Sequence, residues 1–216
     1  EFSKEQLNFL KGQKKHQRIV NVSRILILLS FLFLWEFSAN VGWIDSFIFS
    51  SPSKIALCFW GMVIDKSIFL HVGVTLYETI VSFVLVILIS IITAVCLWFS
   101  KKLSEILDPY IVVLNSLPKS ALAPLLIVWF GATRTTIIIA GMSVAIFGSI
   151  LSLYTSFMTV DPGKIKLIYT LQGNRLQALL KVVLPHSLPA IISNMKVNIG
   201  LCLVGVIIGE FIAARQ

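Results

Sequence analysis

The residues of this sequence that could bind or react with another molecule are a few ionisable side chains, each isolated in a long apolar stretch. The three histidines lie far apart, and none has metal-ligand spacing to another histidine or to a cysteine, so we expect no metal site. No catalytic constellation appears, so an enzyme is the least favoured class. A charge in apolar surroundings instead suits the binding of a solute or a counter-charge, because such groups usually contact protein or water. The isolated groups are Glu36, Glu78, Lys119, Lys196 and Glu210.

The composition favours a membrane protein. Of the 216 residues, 57% are hydrophobic and 13% are charged, whereas a soluble domain carries about 25% charged residues. The net charge of +8 could suggest nucleic-acid binding, but basic residues gather in segment 1–24, before an apolar run, as in a cytoplasmic tail. A signal peptide would begin similarly; we favour an uncleaved span because the apolar stretch continues beyond Trp35. We therefore expect a lipid bilayer, and no nucleic acid, as partner. Three cysteines in apolar surroundings are interpreted as packing residues: Cys58, Cys96 and Cys202.

Five apolar stretches are interpreted as membrane spans, each of which needs about 20 apolar residues. An external loop, 42–71, follows the first span and contains an interfacial helix over 55–64, anchored by Trp60. A charged segment, 101–108, is interpreted as a hinge between spans. We expect a sixth span to follow Gln216. The predicted spans cover residues 25–41, 72–99, 110–130, 136–157 and 191–214.

The basic residues predict the orientation of the chain. With the N-terminus inside, twelve Lys and Arg residues fall in inner segments and four in outer segments. Cytoplasmic loops carry an excess of these residues. The N-terminus and the segment between the fourth and fifth spans are therefore predicted to be cytoplasmic.

Small residues recur at four-residue spacing in the last two spans. Such residues let helices approach closely, so helix packing is the favoured interpretation and the lining of a pathway is the alternative. The residues are Gly141, Ala145 and Ser149 in one span and Gly205 and Gly209 in the other.

A polar, basic island, residues 166–189, separates these two spans. Asp161 followed by Pro162 predicts a helix start, with Asp at the N-cap and Pro in the first turn. Gly173 and Asn174 predict a break, because both tolerate left-handed backbone angles. The pattern therefore predicts two short amphipathic helices that meet at an angle.

The second of these helices is expected to end at a doubled Leu-Pro, at Pro185 and Pro189. Each short helix has an apolar face that could fill a groove on a soluble partner. The alternative is an interfacial helix pair that contacts only lipid headgroups.

The island and three flanking segments resemble bacterial ABC importer permeases. The cytoplasmic loop of that family reads approximately EAA, three residues, Gly, nine residues and Ile-x-Leu-Pro. Here the glycine position falls on Gln172 and the EAA positions on 166–168, so the signature is degenerate. The flanking segments resemble the binding-protein-dependent type I permeases for nitrate, sulfonate and taurine, including relatives that import thiamine precursors. They read HVGVTLYETIVSF (71–83), DPYIVVLNSLPKSALAPLLIVWFG (108–131) and IGEFIAARQ (208–216).

The resemblance implies an all-α polytopic membrane protein of the bacterial cytoplasmic membrane. It implies a type I ABC importer transmembrane domain over 72–216, with a cytoplasmic coupling loop over 158–189. The chain would be a permease subunit and not an enzyme. A second permease subunit, identical or related, a dimer of ABC ATPases and an extracellular substrate-binding protein would complete the transporter. ATP and Mg would bind to the ATPase, since this chain has no phosphate-binding loop and is expected to bind no cofactor.

The resemblance also points to the residues that would contact the ATPase. Arg175 would pair with an acidic residue of the ATPase groove, or else stay solvated. Leu179 would pack behind the other residues. The full set is Tyr169, Gln172, Gly173, Asn174, Arg175, Leu176 and Leu179.

A second set of residues is predicted to line the solute pathway. Lys119 follows Pro118, where a broken helix frees backbone carbonyls, and a small anion such as a sulfonate, taurine or nitrate could use that cation. Snorkelling of Lys119, or its pairing with Glu210, is the alternative; Glu36 and Glu78 either lie near the outer interface or pair internally. The candidates are Asn115, Ser116, Lys119, Ser120 and Glu210.

Three functions remain open at this point. The first is ATP-driven import of a small anion or of a thiamine-precursor-like molecule. The second is an ion-gradient-driven secondary transporter or channel, with the intramembrane acids as proton relays. The third is a membrane scaffold that only anchors an ATPase.

Overall fold

The computed structural model describes residues 4–45 and 47–214, and all regular elements among them are helical, as predicted. The elements in chain order are α1 (Lys4–Val41), α2 (Pro52–Ile64), α3 (Ser67–Phe99), α4 (Lys101–Ser116), α5 (Lys119–Phe130), α6 (Arg134–Met158), α7 (Pro162–Thr170), α8 (Arg175–Ala178), a π-helical turn (Leu179–Val183) and α9 (Leu184–Ala213).

Four described helices are long and apolar enough to cross a membrane, and a bent pair is a candidate for a fifth crossing. The predicted basic tail, 1–24, is helical from Lys4 and continues into the first span without a break. The expected sixth span would follow Gln216, which lies outside the described residues. The four helices cover Lys15–Val41, Ser67–Phe99, Arg134–Met158 and Arg175–Ala213.

The chain divides after Leu70 into two compact units. In the first unit, the Glu36 carboxylate of α1 accepts hydrogen bonds from the backbone N–H (3.0 Å) and the hydroxyl (2.8 Å) of Ser53, in the first turn of α2. A carboxylate at this position accepts a hydrogen bond from a free N–H group of the first turn, and its negative charge interacts favourably with the helix dipole. Internal pairing of Glu36 is thus confirmed, and α2 is the predicted short apolar helix.

In the second unit, α6 packs against α9 through glycines. A Cβ atom at Gly205 would lie 2.8 Å from the Cα of Gly141, and one at Gly141 would lie 2.8 Å from Cγ2 of Val206. Ala145 is fully buried in the same contact, with Cys202 from α9. The small residues therefore serve close helix packing, the favoured interpretation.

The predicted third span, 110–130, is a bent pair. Leu117 is extended (φ −63°, ψ 143°) because Pro118 disfavours the helical conformation in the residue before it. α4 and the part of α5 from Ala121 are bent by 100°. The predicted helix break at Pro118 is confirmed.

The charged segment 101–108 is not a hinge, and that prediction is wrong. It forms the first turns of α4, where the hydroxyl of Ser100 caps the helix by accepting the N–H of Leu103 at 3.3 Å. Lys101 and Glu105 form an exposed ion pair at 3.8 Å, one turn apart. The charged segment is thus the capped start of a helix.

The predicted helix end at Pro185 and Pro189 is also wrong. From Arg175 the chain runs as α8, the π-helical turn and α9, a helical path of 39 residues. Pro185 lies within this continuous path, where its missing N–H leaves a carbonyl of the preceding turn without a helical partner. The π-helical turn directly before it, in which the N–H of Leu184 donates to the carbonyl of Leu179, changes the hydrogen-bond pattern at this point. The last span is therefore continuous with the island instead of beginning at residue 191.

One apolar core holds the island to the spans. It includes both the π-helical turn and the ends of α3 and α6. Its fully or nearly fully buried members are Ala94, Trp98, Leu153, Phe157, Val160, Ala178, Leu179 and Val183.

Candidate functional site

The hinge, residues 171–174, joins α7 to α8 and is fixed by its backbone. The N–H of Gly173 donates to the carbonyl of Ile168 at 2.8 Å, and Gln172 has a φ of +60°. This combination is a helix C-terminus with a left-handed residue after the C-cap. A Cβ atom at Gly173 would lie 2.5 Å from Cγ2 of Ile168 and 2.7 Å from its carbonyl oxygen, so the close approach requires glycine.

The predicted break is confirmed, but its left-handed residue is Gln172 instead of Gly173 or Asn174. Asn174 is extended (φ −94°, ψ 172°) and caps α8. Its side chain accepts the N–H of Gln177 at 2.8 Å, and the Gln177 side chain accepts the N–H of Asn174 at 2.9 Å. This reciprocal capping box satisfies two N–H groups at the start of α8.

Arg175 binds the C-terminal end of α3. Its Nη2 donates to the carbonyl of Trp98 at 2.9 Å, and the guanidinium lies 5.3 Å and 5.6 Å from the ring centroids of Trp98 and Phe99. A cation here donates to a free carbonyl at the end of the helix, and its charge interacts favourably with the helix dipole. The two aromatic rings add cation–π attraction. Arg175 thus ties the island to α3, while its exposed guanidinium keeps further N–H donors for a partner.

Exposed leucines stand among polar side chains on the free side of the island. Leu179 is buried behind the hinge, as predicted, whereas Tyr169 and Leu176 are exposed beside it. The buried and the exposed members of the predicted coupling set therefore lie around the same hinge. The turn is flanked by Leu171, which is 72% exposed, and Leu176, which is 52% exposed. Exposed apolar side chains around a rigid turn suit contact with another protein. The exposed leucines are Leu167, Leu171, Leu176 and Leu180.

A polar cavity of about 340 Å³ lies between α6 and α9. Asn198 donates from Nδ2 to the hydroxyl of Ser149 at 2.9 Å and also to Oδ1 of Asn194, which accepts the Ser149 hydroxyl at 2.8 Å. These three side chains form a closed hydrogen-bond network between two spans. The cavity is lined by Gly148, Ser149, Ser152, Ala190, Ser193, Asn194, Val197, Asn198 and Leu201.

A second cavity, of about 400 Å³, lies beside Glu210 near the C-terminal end of α9. The hydroxyl of Thr75 donates to both carboxylate oxygens of Glu210, at 2.8 Å and 3.0 Å, which links α3 to α9. Glu78 is 1% exposed and lines the cavity. The cation in the described lining is Arg134, so the structure does not pair Glu210 with Lys119.

The other predicted pathway residues lie at the bend between α4 and α5. Asn115 contacts Gly148 of the α6–α9 cavity, with its Oδ1 3.2 Å from the place of a Cβ atom there. Ser116 donates to the carbonyl of Val112 in its own helix at 2.8 Å. Lys119 is half-buried at the start of α5, and the side chain of Ser120 lies outside the described part of the chain. The structure thus connects Asn115, but not Glu210, with the α6–α9 cavity.

Comparison with known proteins identifies the family. The model of the binding-protein-dependent transport system inner membrane component matches residues 86–216, more than half of the chain. The chain belongs to this family. It is therefore an all-α, multi-pass permease of the ABC importer type, and not an enzyme.

Individual relatives are also permeases. A probable ABC transporter permease protein of Haemophilus influenzae is 28% identical over 89% of this chain and 78% of its own length. The putative aliphatic sulfonates transport permease protein SsuC of Bacillus subtilis is 24% identical over 85% of this chain and 66% of its own length. The formylaminopyrimidine transport permease protein ThiX of Halalkalibacterium halodurans is 23% identical over 88% of this chain and 76% of its own length.

The loop that the island resembles has a glycine at one position of the hinge. That position falls on Gln172, the residue with the positive φ. Glycine adopts such angles without steric cost, whereas other residues do so at a cost. The departure from the pattern therefore changes a side chain and keeps the backbone turn.

Sequence reasoning missed the roles of three polar residues of this permease. Thr75 and Arg134 lie beside Glu210, and Asn198 joins Ser149, which was predicted as a packing residue with pathway lining as the alternative. A signal was present in α9, where the lining residues recur at helical spacing over 190–201. Contacts across 135 residues of sequence, such as Thr75 with Glu210, have no such local signal.

Proposed function

We propose that this permease and a second permease subunit, identical or related, form the membrane pathway of an ATP-driven importer. A dimer of cytoplasmic ABC ATPases, which binds ATP and Mg, would dock on the hinge. An extracellular binding protein would deliver the solute. The N-terminus would be cytoplasmic, as the excess of basic residues in the inner segments favours.

The observation that carries this proposal is the attachment of the hinge to two spans. Arg175 holds the end of α3, and α8 continues through the π-helical turn into α9. Motion of a docked ATPase at Leu171 and Leu176 would therefore reach both spans through packed, helical structure. The proposed contact set is Tyr169, Gln172, Gly173, Asn174 and Leu176, with Arg175 and Leu179 positioning it; the exposed Leu171 is added to it.

The proposed solute is a small polar molecule. The chain resembles permeases named for aliphatic sulfonates and for formylaminopyrimidine, which supports a small anion such as a sulfonate, taurine or nitrate, or a thiamine-precursor-like pyrimidine. Asn115 beside the α6–α9 cavity is the pathway residue that the geometry supports best. Glu210 with Thr75 would line the outer end of the path.

The test is co-purification of the cognate ATPase. The double variant Leu171→Ala/Leu176→Ala removes two exposed apolar side chains from the proposed contact. We expect ATPase affinity to fall by about tenfold, which corresponds to a combined loss of about 1.4 kcal/mol. Leu188→Ala, at a leucine that is also half-exposed (51%) but lies outside the hinge, is the control. Deletion of 166–180 should abolish binding. Unchanged stoichiometric binding by the deletion would refute the proposal.

A further inference from the structure

The α6–α9 cavity presents hydrogen-bonding groups on one face of two spans. Three of its residues on α9, at the positions i, i+1 and i+5 of one helical face, are Ser193, Asn194 and Asn198. Ser149 and Ser152 of α6 line the opposite side of the cavity. Asn198 and Ser149 are 2% and 1% exposed, whereas Ser152 and Ser193 are exposed. The face thus combines a buried hydrogen-bond network with exposed hydroxyl groups.

The buried network leaves defined groups for a ligand. Oδ1 of Asn194 accepts both the Ser149 hydroxyl and Nδ2 of Asn198. Within the described structure, Nδ2 of Asn194 and Oδ1 of Asn198 make no hydrogen bond, so one offers two N–H donors and the other an acceptor. The hydroxyls of Ser152 and Ser193 can do either.

Contact of this face with lipid tails would be energetically unfavourable. A polar group without a hydrogen-bond partner in hydrocarbon costs several kcal/mol. The neighbouring surface of α9, in contrast, is apolar and exposed at Ile192 (51%) and Ile199 (46%). The helix therefore has a face suited to lipid and a face that requires water, a polar solute or another protein.

We propose that the face formed by Ser149, Ser152, Ser193, Asn194 and Asn198 is this subunit's wall of the solute pathway. It would bind a polar solute through hydrogen bonds to amides and hydroxyls, without an ion pair, because none of the described lining residues is charged. A solute with oxygen acceptors and at least one donor fits these groups. This inference rests on the proposed function and adds the location and chemistry of the solute contact.

The test is the reaction of introduced thiols with water-soluble reagents in the assembled transporter. The exposed Cys58 and Cys96 are first replaced by Ser, and Cys202 stays because it is buried. Ser193→Cys and Ser152→Cys are near-isosteric and report the proposed wall. Ile192→Cys, one residue away on the same helix, is the matched control.

We expect both wall thiols to react with a charged methanethiosulfonate at least about tenfold faster than the control thiol, because a thiol in lipid does not ionise. Cationic and anionic reagents of similar size should react at similar relative rates, after correction for their rates with a free thiol. A wall thiol as slow as the control thiol would overturn the pathway assignment. A preference above about tenfold for the anionic reagent would reveal a nearby cation and overturn binding without an ion pair.

The readout also separates this inference from the proposed function. Fast labelling of the wall in a transporter whose ATPase does not bind the hinge would support the wall and refute the coupling. Slow labelling in a transporter that hydrolyses ATP and transports would refute the wall and leave the coupling intact.

Discussion

Gln172 occupies a backbone conformation that favours glycine, with a φ of +60°. A non-glycine residue in this region costs about 1–2 kcal/mol, part of which glycine gives back through its greater freedom in the unfolded chain. We therefore expect Gln172→Gly to stabilise the permease by about 0.5–1 kcal/mol. Thermal unfolding of the purified protein measures this. Gln172→Ala, which keeps a Cβ atom, should give no gain, and a Gly variant no more stable than the Ala variant would contradict the geometry.

At the scale of single residues, sequence reasoning found the groups but not their partners. It located Arg175 and Glu210, yet the first binds the carbonyl of Trp98 and the second binds the hydroxyl of Thr75. Both contacts join residues far apart in sequence. Spacing along the chain predicts neighbours within a helix, whereas these partners depend on how the spans pack.

At the scale of helices, the α6–α9 contact depends on glycine at position 205. A Cβ atom there would meet the backbone Cα of Gly141 at 2.8 Å, and backbone cannot move aside as a side chain can. We expect Gly205→Ala to destabilise the protein by about 1–3 kcal/mol through overpacking. Gly200→Ala on the same helix has no atom within 4 Å of its new Cβ and should be neutral or slightly stabilising. Thermal unfolding of the pair checks this, and equal stabilities would contradict the close approach.

The link between α8 and α3 should matter more for coupling than for ATPase binding. Arg175→Ala removes the hydrogen bond to Trp98 and the contact with two rings, whereas Arg175→Lys keeps the charge but loses the planar stacking. We expect the amount of solute transported per ATP hydrolysed to fall strongly in the Ala variant and less in the Lys variant, with ATPase still bound. Proteoliposomes that report both rates provide the measurement. A ratio that stays at the wild-type value in the Ala variant would exclude Arg175 from coupling.

Helix boundaries show where local rules hold and where they fail. Pro118 breaks the helix as expected, with Leu117 extended. The chain stays helical through Pro185, which directly follows a π-helical turn whose Leu179 and Val183 are buried in the core. The same residue type thus has opposite effects, and the difference lies in tertiary contacts that no local pattern contains.

For the whole molecule, apolar length predicted most of the spans, since hydrocarbon admits only helices with all backbone groups paired. The long helices α3 and α6 agree with their predicted ranges within a few residues. The hydrogen-bond network between α6 and α9 was not predicted, because serine and asparagine in a span are also typical packing residues. The hydrogen bonds of Asn198 with Ser149 and Asn194 join the two helices, and the thiol-labelling experiment tests whether the same face also contacts solute.

The most direct test of coupling through the hinge is solute accumulation by proteoliposomes that contain the permease pair and its ATPase, with the binding protein outside. We predict that accumulation requires ATP and Mg on the ATPase side, persists in the presence of a protonophore, and is lost when residues 166–180 are deleted from the permease. Accumulation driven by an ion gradient without ATP, or undiminished in the deletion variant, would contradict the account.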